Sequence, residues 1–271
     1  MSTSFRGIAA AVALLGAVVA ASCGCIVGVA VVSMGSQRGD DAVQKAPGIA
    51  GPAGVFADEK IDVAGKTRQF RLIVPKSVDR AKPAPLVVAF HGMLIDSKDF
   101  MPIYTKLDVL AAEKKFLLAF PEAIGKSWGL ASDKVKADLE FYDALVADVS
   151  KRYKVDADRI YVLGMSNGGY FAQVVGKERS ESVAAVCSHS GPLGLQTLFG
   201  INAKRKFPVL IVCGDKDKIF PLAFFRDNRD RYLKEKHSVK YVEVPGLGHA
   251  WASEAKINET IWEFFAANPL R

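Results

Sequence analysis

Ile160-Tyr161-Val162-Leu163-Gly164-Met165-Ser166-Asn167-Gly168-Gly169-Tyr170-Phe171 decides how this chain is read. An unbroken apolar run from Ile160 to Leu163 predicts a strand covered on both faces. Gly169 to Lys177 predicts a helix, and the pentapeptide Gly164 to Gly168 joins the two with G-x-S-x-G spacing. That spacing has a mechanical reason. A serine on a sharp strand-to-helix turn takes a strained backbone, and glycines two residues to either side let neighbouring backbone pass without collision. The turn lifts the Ser166 hydroxyl above the sheet and aims the positive end of the helix at it.

Outward from this stretch the same alternation continues. Leu86 to Phe90, Phe116 to Phe120, Val183 to Val186 and Val209 to Val212 are further short apolar runs, and Val239 to Val244 is a last strand. Between them stand helical candidates at Tyr104 to Lys115, Asp138 to Tyr153 and Pro221 to Lys236, with a closing helix near Ser253 to Ala266. Ile61 to Val63, a turn at Gly65 and Gln69 to Val74 predict an antiparallel opening hairpin. The expected architecture is an α/β, doubly wound, mostly parallel sheet with an antiparallel N-terminal hairpin. In such sheets the site lies at the carboxyl ends of the strands.

A serine hydroxyl is a weak nucleophile, so it needs a base, and the base needs an orienting carboxylate. In α/β-hydrolases, whose nucleophile turn Gly164 to Gly168 resembles, the acid and then the histidine follow the serine in the chain. His249, in Gly246-Leu247-Gly248-His249-Ala250-Trp251, comes directly after the last strand and is the candidate base. His91 precedes the serine, and His237 stands among lysines at the end of a helix. His189 follows the neighbouring strand and is kept as a distant rival. Cys213-Gly214-Asp215-Lys216-Asp217-Lys218 offers two acids. Asp217 is preferred because the loop needs a few residues to turn toward the histidine, while Asp215 suits a turn cap.

Acyl attack creates an oxyanion that needs preorganised N–H donors. The backbone N–H of Asn167 is one candidate, and that of Met93, in the His91-Gly92-Met93 loop after the first parallel strand, is the other. No metal-ligand spacing occurs, so neither a metal nor another cofactor is expected. Cys187 and Cys213 sit at strand ends and read as buried free thiols.

With His91-Gly92, Gly164 to Gly168, the Gly214–Asp217 turn and Gly248-His249-Ala250-Trp251 in order, the chain resembles the α/β-hydrolase superfamily from about Glu59 to Arg271. Within it the sequence looks most like the lidless polyhydroxybutyrate depolymerase-like and feruloyl or acetylxylan esterases. Arg71-Leu72-Ile73-Val74-Pro75, Ser127-Trp128, Arg159-Ile160-Tyr161 and Gly-His-x-Trp carry that likeness. The resemblance implies ester hydrolysis through an acyl-enzyme formed on Ser166, with His249 and Asp217 completing the triad. The chain departs from the group at Met93, where cysteine is common, and at Leu247, where a third glycine is common. Pro192 to Lys206 is too short for a large lid, so an open site for an extended or polymeric ester is expected. Trp128, Phe220 and Trp251 are candidates to line it. A serine peptidase of the same fold, or a non-catalytic binding protein that kept the fold, are the alternatives.

Half of the 271 residues are hydrophobic, which excludes general disorder. Part of that fraction lies in Gly7 to Gly35, an uncharged run long enough to span a membrane. It reads as an N-terminal signal-anchor or signal peptide over 1–35, either retained, cleaved near Ala20-Ala21-Ser22 or lipidated at Cys23, and it places the protein outside the cytoplasm. Residues 36–54 read as a flexible tether and 55–271 as the catalytic domain. The formal net charge of +7 is spread along the chain, and no basic patch is interleaved with aromatics, so nucleic acid is not an expected partner.

Overall fold

The parallel strands form where β-branched and other apolar residues run unbroken, because only helices on both sides of a sheet can cover such runs. The structure, a computed structural model, describes residues 51–93, 97–130, 132–194, 197, 200–254 and 256–271. The expected signal or anchor over 1–35, and the tether except for its last residues, lie outside the described residues. Among the described residues no helix is long and apolar enough to cross a membrane.

The strands are β1 (Gly54–Val63), β2 (Lys66–Val74), β3 (Ala84–Phe90), β4 (Leu117–Pro121), β5 (Val155–Met165), β6 (Ala185–His189), β7 (Val209–Gly214) and β8 (Val239–Val244). They form an eight-stranded sheet in the order β1-β2-β4-β3-β5-β6-β7-β8. β1 and β2 pair antiparallel, as does β2 with β4, and every later pairing is parallel. This is the α/β-hydrolase architecture expected above. Every residue of β3, β4, β6 and β7 is buried, as strands sandwiched between helices must be.

The helices are α1 (Ser97–Thr105), α2 (Leu107–Lys114), α3 (Ser132–Arg152), α4 (Asn167–Glu178), α5 (Leu222–Lys234) and α6 (Ile257–Ala266). The helix expected over Tyr104 to Lys115 is divided, because Lys106 between α1 and α2 is left-handed at φ 56°. The first strand begins at Gly54, earlier than the hairpin reading placed it.

The chain leaves β3 toward β4 on one side and reaches β5 on the other, so the winding reverses between β3 and β5. Crevices at such reversals, beyond the carboxyl ends of the strands, are where doubly wound sheets hold ligands. Phe90 pairs with Gly164 at that end, which sets His91-Gly92 beside the Ser166 turn.

Candidate active site

Ser166 caps α4 with φ 54° and ψ −119°, a backbone that L-residues rarely hold. The glycines around it have no room for a side chain. A Cβ on Gly164 would meet the Gly168 carbonyl oxygen at 2.2 Å, and one on Gly168 would meet the Phe90 and His91 carbonyl oxygens at 2.2 and 2.4 Å. The start of α4 therefore lies directly on the end of β3. Asn167 takes the first position of α4, where a backbone N–H has no carbonyl within the helix to bond.

The loop that follows β3 is held by His91. Its Nε2 accepts the Ala123 N–H at 3.1 Å, so the proton sits on Nδ1, which donates to the Gly92 carbonyl oxygen at 2.5 Å. The Trp128 indole N–H donates to the His91 carbonyl oxygen at 3.0 Å. Asn167 secures the same segment with its side chain, its Oδ1 accepting the Trp128 backbone N–H at 2.6 Å. Met93, the other oxyanion-donor candidate, is half-buried at the end of this braced loop.

On the far side of β5, β7 delivers both acids. Asp217 Oδ2 lies 2.7 Å from His249 Nδ1. Its Oδ1 accepts the N–H groups of Ile219 at 2.8 Å and Phe220 at 2.9 Å. Burial pushes the Asp217 carboxyl up, but hydrogen bonds from His249 and from the Phe220 and Ile219 N–H groups outweigh it, and the net displacement is downward. Asp215 does something else: its Oδ1 accepts the Gly246 N–H at 2.7 Å and fastens the turn after β8. Gly214 lies against the histidine loop, since a Cβ there would meet the Leu247 carbonyl oxygen at 2.1 Å. Ser166 and His249 are half-buried, while the Asp217 side chain is fully covered.

The expected pocket residues are placed less uniformly. Trp128 is 1% exposed and stacks on Phe171 with ring centroids 5.0 Å apart. Its ring belongs to the core under the site, and its hydrogen bond to His91 braces a loop; the expectation that it lines a pocket is not met. Trp251 is also buried and stacks on the His189 imidazole at 4.6 Å. The Phe220 ring lies 5.7 Å from the His249 ring and is tilted against it.

Further contacts that hold the site together leave no mark in the sequence. Tyr104 in α1 accepts the Trp251 N–H on its hydroxyl at 2.6 Å. Gln173 donates to the Ser188 hydroxyl and to the Gly191 carbonyl oxygen, tying α4 to the end of β6. Nothing in the local pattern around Tyr104 marks it, because its partner is 147 residues away. His189 is fully buried, and its Nε2 accepts the Ala252 N–H at 3.2 Å, which removes it as a rival base. Cys187 and Cys213 are buried and free, and burial pushes the Cys213 thiol up to about 11.

The family model described as the dienelactone hydrolase family matches residues 119–265 of this chain. The chain is 26% identical over 175 residues to "Bifunctional acetylxylan esterase/xylanase XynS20E" of Neocallimastix patriciarum, covering 62% of this chain and 25% of that protein. It is 24% identical over 186 residues to "Feruloyl esterase D" of Neurospora crassa, covering 64% of this chain and 61% of that one. Its fold superposes on the ferulic acid esterase AmCE1/Fae1A from Anaeromyces mucronatus with a TM-score of 0.61 at 18% identity, covering 80% of this chain and 90% of that one. The match spans no more than 61% of the length of these curated relatives.

Proposed function

The chain belongs to the dienelactone hydrolase family, and from that premise we propose that it is a serine hydrolase cleaving carboxylic esters through an acyl-enzyme. Ser166 is the nucleophile, His249 the general base and Asp217 the carboxylate that orients the imidazole. The observation that carries this reading is the 2.7 Å contact between Asp217 Oδ2 and His249 Nδ1, on a loop beyond the same sheet edge as the Ser166 turn.

With Nδ1–H donated to Asp217, the lone pair of the His249 imidazole is on Nε2, ready to take the Ser166 proton. The serine oxygen attacks the acyl carbon, and the carbonyl π electrons move onto oxygen. The N–H groups of Asn167 and Met93 stabilise that oxyanion. The tetrahedral species collapses, the alkoxy group leaves with the proton from His249, and the acyl group stays on Ser166. Water, deprotonated by the same imidazole, then hydrolyses the acyl-enzyme and restores the serine.

The likeness to acetylxylan and feruloyl esterases supports esters borne on a polymer or polysaccharide as the substrate class. The apolar run of Gly7 to Gly35 supports a domain held or released outside the cytoplasm. Labelling with a fluorophosphonate probe tests the reading, followed by a panel of acetyl, butyryl, feruloyl and hydroxybutyrate esters. Labelling lost in Ser166→Ala, with turnover of at least one ester, is the expected result. A folded protein whose Ser166 does not label would make it a binding protein, and labelling with turnover of peptides alone would make it a peptidase.

A further inference from the structure

His189 touches both halves of the site. Its backbone carbonyl oxygen, at the end of β6, accepts the N–H of Ser166 itself at 2.8 Å. Its ring reaches the other way, to the loop that carries His249. A backbone N–H can only donate, so the Ala252 N–H at 3.2 Å requires an unprotonated Nε2. The single ring proton is then on Nδ1, which faces the Ser190 hydroxyl at 3.1 Å. One face of the ring is stacked on Trp251, with centroids 4.6 Å apart and planes 19° apart.

The histidine loop is tied down at several places, among them the Trp251 indole N–H, which donates to Asn258 Oδ1 at 3.0 Å. The Trp251 N–H goes to Tyr104 in α1, and the next N–H along, that of Ala252, goes to His189 in β6. Successive amides two and three residues beyond His249 are thus received by side chains of different elements. Only the one from β6 is also bonded to Ser166.

We infer that His189 is the positioning residue that fixes the separation between Ser166 and the His249 loop, its carbonyl holding one and its imidazole the other. The inference rests on the serine-hydrolase reading of the site. A charged imidazole could not do this, since a proton on Nε2 would confront the Ala252 N–H. Burial above all, and then the electrostatic influence of the neighbouring His249, push the His189 imidazole down to about 3, so the required form persists through the neutral range.

Two variants separate the acceptor from the packing. His189→Phe keeps a flat ring against Trp251 but removes the acceptor; His189→Gln restores a planar group with an acceptor oxygen. Displacing reacting groups by about 1 Å can cost about 100-fold, so kcat for a short ester is expected to fall about 10- to 100-fold in His189→Phe, with KM within about twofold. His189→Gln is expected to recover most of that loss. Hydrogen exchange of a peptide spanning 247–254 reads the anchorage independently of any reaction. It is expected to quicken about tenfold in His189→Phe and to stay near wild type in His189→Gln, while a peptide spanning 160–165 is unchanged in both. Equal kcat in wild type and His189→Phe, or equal exchange at 247–254, would overturn the inference. Exchange that responds as expected in a protein whose Ser166 never labels would leave the positioning contact standing and remove the hydrolase reading instead.

Discussion

Asp217 Oδ2 stands 2.7 Å from His249 Nδ1, while Asp217 Oδ1 is occupied by the N–H groups of Ile219 and Phe220. A carboxylate gripped at both oxygens cannot rotate, so it fixes the plane of the imidazole as well as its tautomer. Asp215, two residues earlier on the same turn, has its side chain on Gly246 and cannot substitute for it.

Turnover of a short ester should therefore fall on the order of a thousandfold or more in Asp217→Asn, since losing the orienting carboxylate leaves the imidazole in the wrong tautomer. Asp215→Asn retains an acceptor for the Gly246 N–H, and a change of less than about 0.5 kcal/mol keeps turnover within about threefold. Parallel kcat measurements on the two variants decide which acid orients the base. A larger loss in Asp215→Asn would reverse the assignment.

The Ser166 backbone predicts a conflict between stability and activity. At φ 54° and ψ −119° a Cβ is unfavourable, whereas glycine adopts the mirror of an ordinary extended conformation freely. Strain of this kind costs about 1–3 kcal/mol, against which glycine loses about 0.5–1 kcal/mol of chain entropy on folding. Ser166→Gly should be inactive and yet more stable than Ser166→Ala by about 1 kcal/mol, read from denaturant midpoints at unchanged slope. A glycine variant less stable than the alanine variant would show that the turn carries no strain.

Gly214→Ala tests how the acid turn meets the base loop. The added methyl would sit 2.1 Å from the Leu247 carbonyl oxygen, a backbone atom that can yield only by moving the loop. Separation of Asp217 from His249 should lower kcat by more than about tenfold, as misplacements of about 1 Å do. Gly246 makes the control, because its Cβ would meet no atom within 4 Å; it stands at φ 75°, so alanine there costs stability without a clash. If kcat survives Gly214→Ala, the two segments are less tightly joined than the structure has them.

Much of this site was legible in the sequence because its signals are local. Gly164 to Gly168 carries its own steric logic, Cys213 to Asp217 ends a strand, and His249 follows the last one, so chain order narrows the choice and loop length favours Asp217 over Asp215. The parallel sheet was legible for a similar reason: unbroken apolar runs have few other homes. What stayed hidden depends on contacts between distant segments. Trp128 reads as a pocket aromatic until the Asn167 side chain and the His91 carbonyl oxygen are seen to hold it in the core. The break at Lys106 is a left-handed residue that no propensity marks, and β1 begins inside a stretch whose glycine and proline content reads as tether.

The Trp128 segment is braced from below by a buried ion pair. Arg68 Nη2 lies 2.8 Å from Asp138 Oδ1, and Asp138 Oδ2 accepts the Gly129 N–H at 2.8 Å. Desolvation pushes the Asp138 carboxyl up and the Arg68 guanidinium down, so burial opposes both charges despite their pairing. Removing one partner strands the other, and Asp138→Ala should cost about 3–5 kcal/mol in denaturant unfolding. Replacing both with apolar residues of similar volume should cost much less than Asp138→Ala alone. Additive losses would show that the pair has no interaction to lose.

Acid lability should trace in part to His189. Its imidazole is pushed from 6.5 down to about 3 in the folded chain by burial, with His249 adding to the effect. Between those values the unfolded chain binds a proton that the folded chain refuses, so stability is complete above about pH 6.5 and falls as pH drops toward about 3. Each pH unit in that window is worth about 1.4 kcal/mol per fully displaced group, which gives about 2–3 kcal/mol between about pH 6.5 and about pH 4.5. Asp217 acts with the same sign in a lower window. Its carboxyl is displaced below the ordinary 3.8, so its contribution is present above about 3.8 and is lost only as pH falls further. His237 is also buried and displaced downward by desolvation, so the wild-type slope contains both histidines. The comparison that isolates His189 is therefore between proteins: His189→Gln, which has nothing to protonate, should lose about 2–3 kcal/mol less than wild type between those two pH values. Identical slopes for the two proteins would mean that the folded chain accepts a proton on His189 near its ordinary range, and the neutral Nε2 that receives the Ala252 N–H would not persist in that window.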